Sequence, residues 1–245
     1  MPGITMWLFV GLSLAATLTA FIAAVAGTAG GLILIAIMAF VFPPQILIPL
    51  HTVIQLGVSS SMLISRWKFF MRGTLTPFIL GTGIGAALGG KIFVNLPEHL
   101  LLMILGTSML FLTWVPAIAR FGPERGRFVF VGFITTFLGV FISATGSLLA
   151  AFTAAASADR CQHIATLGGL MSIVHIAKIV TFTILGVEFG PYAPLVLSMI
   201  FASWIGIAIG KPVLNIIPER IFRISFQIIL TILSLRLITK AFGWG

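Results

Sequence analysis

The chain is a succession of apolar runs, most of them roughly 20 residues long, separated by polar stretches too short to fold on their own. A run of that length crosses about 30 Å of hydrocarbon as a helix, so the sequence predicts an all-α integral membrane protein. Composition agrees: 59% of the residues are hydrophobic, 8% are charged, and mean hydropathy is +1.20. The longest polar interruptions, residues 66–73 and 120–127, are loops and leave no room for a soluble domain. A net charge of +9 does not point to nucleic acid, because the basic residues sit in short loops between apolar runs, where they orient the chain in the bilayer. The single Cys161 excludes an internal disulfide and any multi-cysteine metal site. Residues 1–6 carry no basic side chain, so the first run is expected to be a membrane span and not a cleaved leader.

Duplication is the second constraint. Gly90-Lys91, Asn95, Pro97 and Glu98 return as Gly210-Lys211, Asn215, Pro218 and Glu219, at an offset of 120 residues that becomes 121 after one inserted residue. The stretch holding Gly27, Gly30 and Gly31 aligns with the one holding Gly139, Gly146 and Ser147, and Ala165-Thr166 falls near the counterpart of His51-Thr52. The chain therefore reads as two membrane repeats, residues 1–121 and 122–245, with a transporter's site expected where the halves meet. Helices are expected at about 5–25, 30–42, 45–64, 75–94 and 98–118, and again at about 127–143, 147–157, 161–184, 194–213 and 218–240. The second of each set is too short to cross alone and follows a Gly/Ser/Thr cluster, so it reads as a half-helix or re-entrant limb. Eight to ten helical segments result, depending on how these limbs are counted.

Charge relates the halves. Arg66, Lys68 and Arg72 form one basic loop and Arg120, Arg125 and Arg127 another, two spans apart, so both are expected to be cytoplasmic. The second-half equivalent of the first loop, residues 186–194, carries only Glu188 and is expected outside. This makes the repeats inverted in topology. Lys211, Arg220 and Arg223 fit the scheme, whereas Arg236 and Lys240 run against it.

Three groups of residues could carry chemistry. The small-residue breaks Gly27-Thr28-Ala29-Gly30-Gly31 and Ser143-Ala144-Thr145-Gly146-Ser147 let the backbone unwind. They offer the hydroxyls of Thr28, Ser143, Thr145 and Ser147, and a half-helix starting there would aim its N–H groups at an anion. Close helix packing through Gly30, Gly31 and Gly146 is the other reading. The segment 161–184 places His163, Thr166, Ser172, His175 and Lys178 inside an apolar run. An intramembrane ammonium is costly and marks an anion path, unless Lys178 snorkels from near the helix end to the interface. His175 could move a coupled proton or serve in packing. On 45–64, His51, Thr52, Gln55 and Ser59 share an arc of roughly 100°, pointing into the bundle as a path lining or as interhelical bonds. Arg160 is an anion contact, pairs with Asp159, or sits at the surface.

The five acidic residues avoid the apolar runs, so no carboxylate pair is available for a metal enzyme or cation pump. Metal-binding His-x-x-x-His and Cys-x-x-Cys spacings are absent, no nucleophile, base and orienting group form a trio, and no metal or cofactor is expected.

Gly132-Phe133 at the opening of the second repeat, Ala165-Thr166, Lys178, Gly186 at a helix end, and Gly206 to Gly210-Lys211 before Pro218-Glu219 recur in an order and spacing that resemble the TauE/SafE family. The resemblance covers most of the chain and implies a duplicated membrane transporter exporting sulfite, sulfoacetate or related anions. Where that family shows Gly-x-Gly-Gly-Gly and Gly-x-Gly-Gly-Pro, this chain has the two breaks quoted above, which add hydroxyl groups. The expected partners are a small anion and the bilayer of a prokaryotic plasma membrane, with a homodimer as the assembly to test and no nucleic acid. An anion channel and a membrane scaffold without transport are the competing functions.

Overall fold

The computed structural model describes residues 4–26, 30–114, 127–210, 212 and 219–243, and these form helices and connecting turns with no strand among them. The helices are α1 (Met6–Ala26), α2 (Gly30–Met38), α3 (Pro44–Ser65), α4 (Leu75–Phe93), α5 (Glu98–Trp114), α6 (Arg127–Ile142), α7 (Gly146–Ala156), α8 (Arg160–Ile184), α9 (Ala193–Gly210) and α10 (Glu219–Ala241). Most of their described ends fall close to the expected ones because Gly, Pro and charged residues punctuate the apolar runs. Helix α2, however, stops at Met38 where 42 was expected, the chain turning ahead of Pro43-Pro44, and the ends expected at 118 and 213 lie outside the described residues. Among the described residues five stretches are long and apolar enough to cross a membrane: Met6–Ala24, Pro44–Ser65, Arg72–Phe93, Arg160–Ile184 and Gly190–Gly210. Gly27-Thr28-Ala29, Arg120, Arg125, Lys211, Asn215 and Pro218 lie outside the described residues, as do the side chains of Arg220 and Arg223.

The helices are built for lipid. On α4 the buried face is Gly81, Thr82, Gly85, Ala86, Gly89 and Gly90 with two phenylalanines, while Ile79, Leu80, Ile84, Leu88 and Ile92 face outward. Small residues inside and large ones outside suit a solvent of acyl chains, in which helix association rests on close backbone approach.

The chain forms two compact units that interleave along the sequence. The first comprises Met1–Ile54, Pro97–Val115 and Glu188–Gly245, and the second Gln55–Leu96 and Pro116–Val187, so each draws on both halves of the sequence.

In the first unit α9 lies parallel to α1. A Cβ at Gly206 would overlap the Thr17 carbonyl, and one at Gly210 would stand 2.7 Å from Ala24 Cβ. Antiparallel to α5, α10 brings Thr231 to accept a bond from Trp114 Nε1 at 3.0 Å and puts the Ser234 carbonyl 3.0 Å from where a Gly106 Cβ would stand. Arg236 and Lys240, which break the charge rule, are committed locally. Lys240 Nζ donates to the Ala39 carbonyl at 3.3 Å and the Arg236 guanidinium lies 3.8 Å over the Phe40 ring, placing both cations at the negative end of α2.

In the second unit α4 and α6 run parallel, with Gly81 against Val129, Gly85 against Phe133 and Gly89 against Phe137 and Val140. The contacts of Gly85 with Phe133 O and Phe137 N match those of Gly206 with Thr17 O and Phe21 N, so the pairing of a fourth helix with a first helix occurs once in each unit. Helix α8 follows the same direction: Met71 and Phe70 meet Thr166 and Gly169 near its start, and Gly90 meets Thr181 near its end. Arg72 and Arg127 therefore stand at one end of this unit, ahead of α4 and at the head of α6. The repeated Gly-Lys-Asn-Pro-Glu signature is, in its first copy, a helix ending. Asn95 Nδ2 donates to the Lys91 carbonyl at 2.7 Å, Pro97 turns the chain, and Glu98 starts α5.

Candidate anion site

Phe128, Val131, Thr135 and Gly139 recur at helical spacing along one face of α6. The helix stops at Ile142, and Ser143 takes a left-handed conformation, φ 59°, which only a glycine adopts without steric cost. Thr145 follows and α7 begins at Gly146, leaving the first-turn N–H groups of Gly146, Ser147 and Leu148 without intrahelical acceptors. Into this break reaches Lys178 from α8: its side chain is fully buried and Nζ donates to Ser143 Oγ at 3.2 Å. Gly139 makes the approach possible, since a Cβ there would stand 3.2 Å from Thr145 Oγ1 and 3.8 Å from Lys178 Cδ. The snorkelling alternative is thereby answered, because the amine turns into the helix bundle.

The surroundings are donors without acid. Among the described residues Lys178 is the one Lys, Arg, Asp or Glu that is buried. Helix α7 has no charged residue, the charge on α6 is Arg127 at its far end, and that on α4 is Lys91, which is exposed. An ammonium has three N–H donors, and a neutral hydroxyl offsets little of the cost of taking its charge out of water. Thr135 Oγ1, one turn before Gly139 on the same face, and Ser147 Oγ are buried with no hydrogen-bond partner among the described residues. Toward the Arg127 end, Phe128 and Val131 of α6, Leu149 of α7 and Leu170, Met171 and Val174 of α8 close into an apolar cluster beneath these polar groups. The arrangement can hold a small anion against one ammonium, a set of hydroxyls and a helix N-terminus, with a dry seal on one side.

Residues 12–237 match the family described as Sulfite exporter TauE/SafE. The chain belongs to this family. No curated protein and no solved structure matches it. Family membership and the apolar helices together make it a multi-pass membrane protein of a family of transporters and not of enzymes.

This TauE/SafE chain does not gather every residue that the sequence singles out. His175 is buried one turn before Lys178. His163 shares the helix but begins it, roughly 22 Å from Lys178 at 1.5 Å per residue. There its Nδ1 lies 3.1 Å from Thr153 Oγ1, pinning α7 to α8. Thr166 accepts the Met71 N–H at 3.2 Å and so ties down the loop before α4. Asp159 caps α8 by accepting the Gln162 N–H at 2.9 Å, while Gln162 Oε1 accepts from the Ala158 N–H at 2.7 Å, and Arg160 is exposed. Arg160, His163 and Thr166 thus stand at the hairpin end of α8, below the apolar cluster, and Gln55 is half-buried on α3.

In the first unit His51 and Thr52 are fully buried; His51 Nε2 donates to the Gly31 carbonyl at 3.0 Å, and Thr52 Oγ1 to the Ile48 carbonyl at 2.8 Å. At Gly30 the geometry favours the packing reading of the two. A Cβ there would overlap the Thr19 carbonyl, so this glycine lets α2 lie on α1, which is the packing role, and a larger residue would disturb the fold. At Gly146 a Cβ would meet nothing nearer than Met171 Cε at 3.9 Å. Sequence reasoning missed Thr135; the signal was a threonine at an apolar-face position of a helix otherwise rich in Phe and Val.

Proposed function

We propose that the protein is a secondary-active transporter of the prokaryotic plasma membrane that exports a small anion, sulfite or an organosulfonate of the sulfoacetate kind, from two repeats of inverted topology. One observation carries this reading: the fully buried Lys178 amine placed 3.2 Å from Ser143 at the head of α7, with no carboxylate on the helices around it. Ser143, Thr145, Gly146, Ser147 and Lys178 form the binding site, and His175, next along α8, carries a coupled proton. Gly31, His51 and Thr52 build the first repeat's counterpart of the break. The family supports an anion as cargo.

Sulfite flux in proteoliposomes tests it. Accumulation against a gradient is expected, driven by an imposed proton gradient, and it should be lost in Lys178→Gln. Flux that only follows the sulfite gradient would make the protein a channel, and accumulation by His175→Gln equal to wild type would remove the proton role.

A further inference from the structure

We infer that the Lys178 site selects anions carrying one negative charge and discriminates against those carrying two. The inference rests on the proposed site and narrows the proposed cargo to its singly charged members, hydrogen sulfite and monosulfonates, setting doubly charged sulfoacetate at a disadvantage. The charge inventory drives it. Among the described residues the site offers one formal positive charge, Lys178, and α7 adds the equivalent of about half a charge through its N-terminus. Lys91 is exposed at the end of α4, Arg127 stands beyond the apolar cluster, α7 is uncharged, and the remaining titratable neighbour on α8 is His175.

A singly charged guest makes a neutral pair with the ammonium. A doubly charged guest leaves a net negative charge beside the apolar cluster of Val131, Leu149, Leu170 and Val174, which offers nothing polar to offset it. The neutral donors favour the same class. Ser143 and Thr145 hydroxyls, the unpartnered Thr135 and Ser147 hydroxyls and the Gly146 and Ser147 N–H groups suit a head of three oxygens sharing one charge, as in hydrogen sulfite or a sulfonate.

Two sulfonates of nearly equal size separate charge from shape: isethionate, with a hydroxymethyl group and one charge, and sulfoacetate, with a carboxylate and two. Binding of each to the full chain in nanodiscs is measured at one fixed pH by titration calorimetry. Isethionate is expected to bind tighter by on the order of tenfold or more, with the preference shrinking or reversing in Ser147→Lys, which supplies a second cation at the head of α7. Sulfoacetate binding as tightly as isethionate, with both weakened in Lys178→Gln, would overturn the charge selection and leave the site standing. Binding of both unchanged by Lys178→Gln would overturn the site itself, and binding of neither would overturn sulfonates as its class. If Lys178→Gln fails to fold, an unchanged isethionate-to-sulfoacetate ratio in folded Ser147→Lys overturns the selection.

Discussion

At the scale of single residues the decisive pair is Lys178 and Ser143, and it shows where sequence reading stops. The cost of an intramembrane ammonium marks Lys178 from composition alone, but its partner lies 35 residues away on another element, a distance that only the packing of α6 against α8 closes. His163 lies on the same side of α8 as Lys178 by helical periodicity but about 15 residues earlier, roughly 22 Å along the axis, and a shared face is not a shared site. Lys178→Gln should weaken anion binding by about 1–3 kcal/mol, roughly five- to 150-fold, with Lys178→Arg keeping part of the affinity, as calorimetry with sulfite would show. The two glycines of the breaks should behave differently. Gly146→Val is expected to leave yield and melting temperature near wild type, because its Cβ is uncrowded, yet to block uptake by covering the first N–H groups of α7. Gly30→Val should instead fail in fluorescence-detected size exclusion, because its side chain would strike the Thr19 carbonyl.

Elements were legible where chemistry punctuates them. Gly-Pro-charge signals bracket the apolar runs, so helix ends were read closely, and the short limb α7 followed from its flanking hydroxyl residues. The partner of each helix was not legible, because small residues on a face announce close packing without naming what packs there. The parallel pairing of α4 with α6, and of α9 with α1, follows from backbone carbonyls that fit only over glycine. Gly85→Val and Gly206→Val should each destabilise by about 1–3 kcal/mol or more, since the obstacle is backbone that cannot rotate away, whereas valine at Gly83, with nothing within 4 Å, should be tolerated. Thermal unfolding in detergent distinguishes the three.

For the whole molecule the question is orientation, and charge supplies the test. Arg72 and Arg127 share an end of the second unit because α4 and α6 run parallel, which is what two cytoplasmic basic loops require. The apparent violators Arg236 and Lys240 are bound to the end of α2 and carry less weight as orienting charges. Helix α8 runs from the Thr166 contact with Met71, at that basic end, to the Gly90 contact near Thr181, so the segment beyond Gly186 leaves from the opposite end. Cysteines introduced at Phe70 and Gly190 in a Cys161→Ser background should therefore label from opposite sides of intact cells with an impermeant maleimide, Gly190 from outside and Phe70 only after permeabilisation. Labelling of both from one side would contradict the course of α8. Both labelling, but with sides exchanged, would keep the fold and reverse the orientation, turning the apolar cluster below Lys178 from an inward seal into an outward one.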